Sequence, residues 1–121
     1  MKDLAALGQE CISELNAIGI YPKDVTAWTV NCRAKSIWGR CNIYPNGNIS
    51  IEIISDLVQD DIPNVIPKNI IMHELLHTLV PNHSKAWKEL AGKVSAAYPQ
   101  YDIQTTVTIE EQETLELIKS Q

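Results

Sequence analysis

The sequence predicts an α+β fold from two observations. Apolar residues recur at helical spacing at the N-terminus and again in the second half of the chain, and the segment between them is rich in β-branched and aromatic residues around one sharp turn. With 121 residues and 45% apolar content, the chain has the size and composition of a single unit, and residues 1–121 are expected to form one domain.

Leu4, Leu7, Cys11, Leu15 and Ile18 follow three- and four-residue steps, with Asp3 placed to cap the helix and Gly19 to end it. After Pro22, Val25, Ala27, Thr29 and Asn31 alternate with Thr26, Trp28 and Val30, which is a strand pattern. Pro45-Asn46-Gly47-Asn48 reads as a hairpin turn whose Asn-Gly pair supplies positive φ angles, joining Ile37–Tyr44 to Ile49–Ile53 in a small sheet with antiparallel pairing. Ile49, Ile51 and Ile53 then share a buried face, and Ser50 and Glu52 point to water or into a cleft. A helix is expected from Pro67 to Val80, since proline suits a first turn and Pro81 disfavours helical geometry at Val80. Ser84 can cap the next helix, which carries Trp87, Leu90, Val94 and Ala97 and closes near Pro99. Thr108 and Glu111 have capping-box spacing and predict a short acidic helix over Ile109–Lys119.

The formal net charge of -5 gives no general attraction for polyanions. Arg33, Lys35 and Arg40, with Lys85, Lys88 and Lys93, form a local basic set that is read first as a solvated face, so nucleic acid is not the favoured partner. No stretch is apolar enough to span a bilayer, and the N-terminus has no secretory pattern. Cys11, Cys32 and Cys41 include no CxxC pair and read as reduced thiols, which places the protein in the cytoplasm.

His73-Glu74-Leu75-Leu76-His77 falls inside the second predicted helix, where residues four apart lie on one face, so both imidazoles can reach one ion. Glu74 projects about 100° around the helix from His73, beside the ion, as suits a general base that deprotonates the attacking water. The spacing is that of the HExxH motif of zinc peptidases. All three histidines of the chain lie between positions 73 and 83, and His83 follows the helix-ending Pro81 and can fold back toward the same point. Three imidazoles with an open fourth position make a catalytic ligand set; structural zinc sites are normally closed by four protein ligands. The step from His77 to His83 equals that of metzincins, but Val80 stands where their glycine would be and no methionine follows Met72.

The run His73-Glu74-Leu75-Leu76-His77-Thr78-Leu79-Val80-Pro81-Asn82-His83-Ser84-Lys85-Ala86-Trp87 resembles the core of SprT-like metallopeptidases. Asn31-Cys32-Arg33-Ala34-Lys35-Ser36-Ile37-Trp38-Gly39-Arg40-Cys41 resembles their upstream strand segment, and Gly47 to Leu57 the strand that follows. The likeness covers most of residues 25 to 98. It implies a minimal zincin core, in which a small sheet lies over the cleft and a further helix follows the third ligand. It also implies one catalytic Zn2+ on His73, His77 and His83, Glu74 as base, and Trp87 packed beneath the site. Many SprT-like proteins continue into a C-terminal zinc ribbon; here no cysteine follows Cys41.

The expected activity is therefore zinc-dependent hydrolysis of peptide bonds in a protein or peptide substrate, through metal-activated water. Tyr98 or Tyr101 is a candidate oxyanion donor, and the hairpin strands are a candidate edge for an extended peptide. Two other readings compete: a zinc-stabilised binding module without catalysis, and a DNA-associated protease acting on DNA-protein crosslinks.

Overall fold

In the computed structural model, residues 1–32 and 38–103 are described. The elements run in the order α1 (Leu4–Ala17), β1 (Ala27–Asn31), β2 (Gly39–Ile43), β3 (Ile49–Ile54), a 3-10 turn (Ser55–Val58), α2 (Val65–His77) and α3 (Lys85–Ala97). This is an α+β fold with three helices and a three-stranded mixed sheet. The predicted helix over Ile109–Lys119 lies outside the described residues.

Helix α1 starts as its sequence requires, with the Asp3 carboxylate accepting the Ala6 N–H at 3.1 Å. It ends at Ala17, two residues after Leu15, and Gly19 follows with φ +80°. Leu4, Leu7, Cys11 and Leu15 form its buried stripe.

The sheet order is β1-β3-β2, so β3 is central, parallel to β1 and antiparallel to β2. The β2–β3 hairpin is closed differently from the expectation at Asn46. Gly47 alone has positive φ, +90°, and Asn46 keeps negative φ. Gly47 N–H donates to Tyr44 O and Tyr44 N–H to Asn48 O, both at 2.9 Å, which makes a three-residue loop with a glycine bulge. The Asn46 side chain instead accepts the Asn48 N–H at 3.0 Å, a bond that holds the asparagine without a left-handed backbone. Ile49, Ile51 and Ile53 are buried toward the helices. On the opposite face Asn42 Nδ2 donates to Ser50 Oγ at 3.0 Å and to Glu52 Oε1 at 3.2 Å, and Asn31 Nδ2 reaches Glu52 Oε2 at 3.4 Å. That face is a polar surface lining a cavity of about 640 Å³ with Thr29 and Tyr44.

Helix α2 runs through the middle of the molecule, packing on α1, β2, β3 and α3. Every residue from Ile70 to Leu76 is buried, His73 and Glu74 included, so the helix is enclosed on all sides rather than along one stripe. It begins two residues before Pro67, which occupies the first turn as expected. No side chain caps it: Asn64 Oδ1 is engaged by Lys2 Nζ at 2.7 Å. It ends at His77, three residues short of the expected Val80. Thr78 Oγ1 donates to Leu75 O at 2.7 Å, and the Leu79 and Val80 amides turn back to Leu76 O. In α3 the Ser84 hydroxyl makes no cap bond; Asn82 Oδ1 takes the Ser84 N–H at 3.2 Å. Trp87, Ala91 and Val94 are the buried residues of this helix, which ends at Ala97, close to the expected stop near Pro99.

Candidate metal centre

The early end of α2 is what assembles the site. His73 and His77, one turn apart on α2, present their rings in the same direction. With the helix ended at His77, the chain doubles back through Pro81 and brings His83 to the same point. The Nε2 atoms of the three histidines form a nearly equilateral triangle, with sides of 3.1 Å (His73–His77), 3.0 Å (His77–His83) and 3.1 Å (His73–His83).

The donor chemistry fits a metal ion. His77 Nδ1 lies 3.0 Å from Val80 O, and a carbonyl only accepts, so Nδ1 carries the hydrogen and Nε2 is left with its lone pair facing the triangle. Three nitrogens converging within 3.1 Å repel one another unless a cation or proton lies between them. Tetrahedral zinc–imidazole bonds of about 2.0–2.1 Å put neighbouring nitrogens about 3.3 Å apart, within a few tenths of the observed sides. His73, His77 and His83 are thus close enough to bind one metal ion.

Glu74 is 2% exposed, and its Oε1 lies 3.7 Å from His73 Nε2, beside the triangle. The nearby thiol of Cys41 on β2 is pushed up to about 12, mainly by burial and further by the Glu74 carboxylate. Glu74 is thus buried beside His73 and near enough to the edge strand for its charge to act on Cys41. Nothing in the sequence marks Cys41 as a neighbour of the site; only the hairpin register, which puts Gly39, Cys41 and Ile43 on the helix-facing side of β2, reveals it.

Gly39 sets the approach of that strand. A Cβ there would meet Ile70 Cγ2 of α2 at 2.6 Å, so the backbone of β2 lies directly on the helix that carries the histidines. Trp87, fully buried, underlies the site from α3, with its ring centroid 4.8 Å from that of His73, 5.4 Å from His77 and 4.9 Å from His83.

Tyr98 and Tyr101 do not serve as the expected oxyanion donors. Tyr98 OH donates to Glu14 O at 2.9 Å and Tyr101 OH to Glu14 Oε2 at 2.7 Å, fastening the segment after α3 to α1. Lys68 completes that cluster through its ion pair with Glu14, and it precedes His73 by more than a helical turn. Burial works against the Lys68 charge, but the bonds to Glu14 and Tyr101 outweigh it and raise its pKa. Burial likewise raises Tyr101, with Glu14 adding to the shift against Lys68.

Of the basic set, Arg33 and Lys35 lie outside the described residues, Arg40 is exposed on β2, and Lys85, Lys88 and Lys93 are exposed on α3. Among the described residues no helix is long and apolar enough to cross a membrane. The chain matches no family model, no curated protein and no solved structure.

Proposed function

We propose that the protein is a zinc-dependent peptidase in which His73, His77 and His83 hold the metal and Glu74 is the general base. The carrying observation is the convergence of three Nε2 atoms within 3.1 Å of one another with a buried carboxylate beside them. A zinc ion held by these three histidines would supply Lewis acidity toward the scissile carbonyl and lower the pKa of water. Glu74 accepts the proton of the attacking water and returns it to the departing amine, and its burial beside His73 keeps it close to both events. Among the described residues strand β2 is an edge of the sheet, and an extended peptide would add along it by backbone bonds. This mode reads main chain rather than sequence and suits unfolded polypeptide. The resemblance to SprT-like metallopeptidases supports the same assignment, and reduced thiols at Cys11, Cys32 and Cys41 suit a cytoplasmic protein.

The test pairs elemental analysis with cleavage of an unstructured protein such as casein. Wild-type protein is expected to hold about one zinc per chain and to cleave. Glu74→Gln should keep the zinc and lose cleavage by about 10²–10⁴-fold, and His83→Ala should lose both. Cleavage undiminished in Glu74→Gln would remove the peptidase assignment; zinc bound without any cleavage in the wild type would leave a zinc-stabilised binding module.

A further inference from the structure

Trp87 occupies a position that the reaction itself does not require. Its indole is fully buried, and its Nε1–H has no hydrogen-bond partner among the described residues. An unpartnered buried N–H carries a desolvation penalty that phenylalanine or leucine would avoid. What the indole provides instead is extent. One flat fused ring touches all three imidazoles at once, stacked on His77 at 25°, tilted to His73 at 57° and edge-on to His83 at 77°. The three rings come from two sources, α2 and the turn after it, and Trp87 comes from a third, α3. The Val80 carbonyl, by comparison, orients His77.

We propose that Trp87 is a positioning residue that holds the three imidazoles in their triangle and thereby selects the metal; the inference rests on the metal site proposed above. Three nitrogens separated by 3.0–3.1 Å cap one face of a coordination shell, with no two of them opposite each other. Copper(II) prefers a tetragonal arrangement, in which two of any three in-plane nitrogens stand opposite each other, about 4 Å apart. Imidazole ligands by themselves favour copper over zinc. A ring that fixes all three sides of the triangle counters that order by denying copper its geometry, and a smaller side chain gives the imidazoles room to spread.

The experiment measures zinc and copper(II) affinities by competition with chelators of known strength, on wild-type protein and on Trp87→Leu, Trp87→Phe and Trp28→Phe. Far-UV circular dichroism confirms that each variant is folded. Trp28→Phe loosens the core away from the histidines and should leave both affinities unchanged. Trp87→Leu should weaken zinc by about 10–100-fold, as loss of groups that orient metal ligands does, while copper falls less than about threefold. Trp87→Phe, which keeps a buried ring, serves if the leucine variant does not fold, and should move the zinc-to-copper ratio in the same direction by a smaller factor. A folded Trp87 variant with unchanged zinc affinity, or with zinc and copper weakened equally, overturns the inference. Either result with metal still bound by the wild type leaves the metal site itself intact, whereas a wild type that binds neither ion removes both readings.

Discussion

Replacing Gly39 with alanine tests the claim that β2 is seated directly on the helix of the site. The new methyl would stand 2.6 Å from Ile70 Cγ2, 3.2 Å from Ile53 Cδ1 and 3.3 Å from Glu52 O. Ordinary carbon contacts are about 3.5–4.0 Å, so about 1 Å of separation must open between strand and helix. Ile70 is a β-branched residue on a helix, and its stiff χ1 prevents the methyl from swinging aside. Overpacking of this kind costs about 1–3 kcal/mol, offset by about 0.4–1 kcal/mol from the smaller freedom of alanine in the unfolded chain. A net loss of about 1–2 kcal/mol corresponds to a Tm lower by about 3–10 °C. The assay is a double-mutant cycle by thermal and urea unfolding. Ile70→Ala removes the offending methyl, so Gly39→Ala should cost about 1 kcal/mol less in that background. Equal costs in the two backgrounds would refute the contact. Because the displaced strand borders the Glu74 carboxylate, cleavage by the single variant should also fall, and more in kcat/KM than in bound zinc.

Glu14 gathers Lys68, Tyr98 and Tyr101 onto α1, so Glu14→Ala should cost about 2–3 kcal/mol in urea unfolding, below the ~3–5 kcal/mol of fully enclosed pairs because the Glu14 side chain is 23% exposed. A loss under about 0.5 kcal/mol would show that the cluster adds nothing net. Alkaline pH should also destabilise the fold. The Cys11 thiol is pushed up to about 12, chiefly by burial, against about 8.5 in the unfolded chain, so the unfolded state sheds its proton first and stability declines as pH rises between those values. Lys68, raised as well, contributes stability that is complete below about 10.4 and is lost as pH climbs through its folded value. Unfolding midpoints at pH 7.5 and 9.5 should therefore fall in that order, and Cys11→Ala should show the smaller drop. An unchanged difference in that variant would remove the thiol from the explanation.

The parts of this fold that the sequence discloses are those decided within a few residues. Asp3 caps α1 because the carboxylate needs only the amide three residues on, and the hairpin follows from Gly47. The histidine cluster is legible for the same reason: one turn of helix and one proline bring 73, 77 and 83 together. Long-range choices are not legible. Nothing local says that β1 pairs with β3 rather than β2, since both neighbours of that register are plausible strands. The fate of Tyr98 and Tyr101 depended on Glu14, 84 and 87 residues away, and an aromatic with a hydroxyl is equally suited to a cleft or to a buried carboxylate. The end of α2 was misplaced by three residues because Pro81 sets only a limit, and Thr78, bonding back to Leu75, stops the helix sooner.

The strand order also governs the sequence of events as the chain folds. β2 and β3 are joined by the five residues 44–48 and can zip within microseconds, whereas Thr26 must find Ile49 across 23 positions. Loop-closure entropy favours the hairpin forming first, and until β1 docks the inner edge of β3 is bare. That edge belongs to Ile49-Ser50-Ile51-Glu52-Ile53-Ile54, a run that would pair readily with copies of itself but for Glu52, the charge in its middle. The carboxylate that ends up bonded to Asn31 and Asn42 in the finished sheet serves first as a gatekeeper, repelling a second β3 until β1 closes the edge.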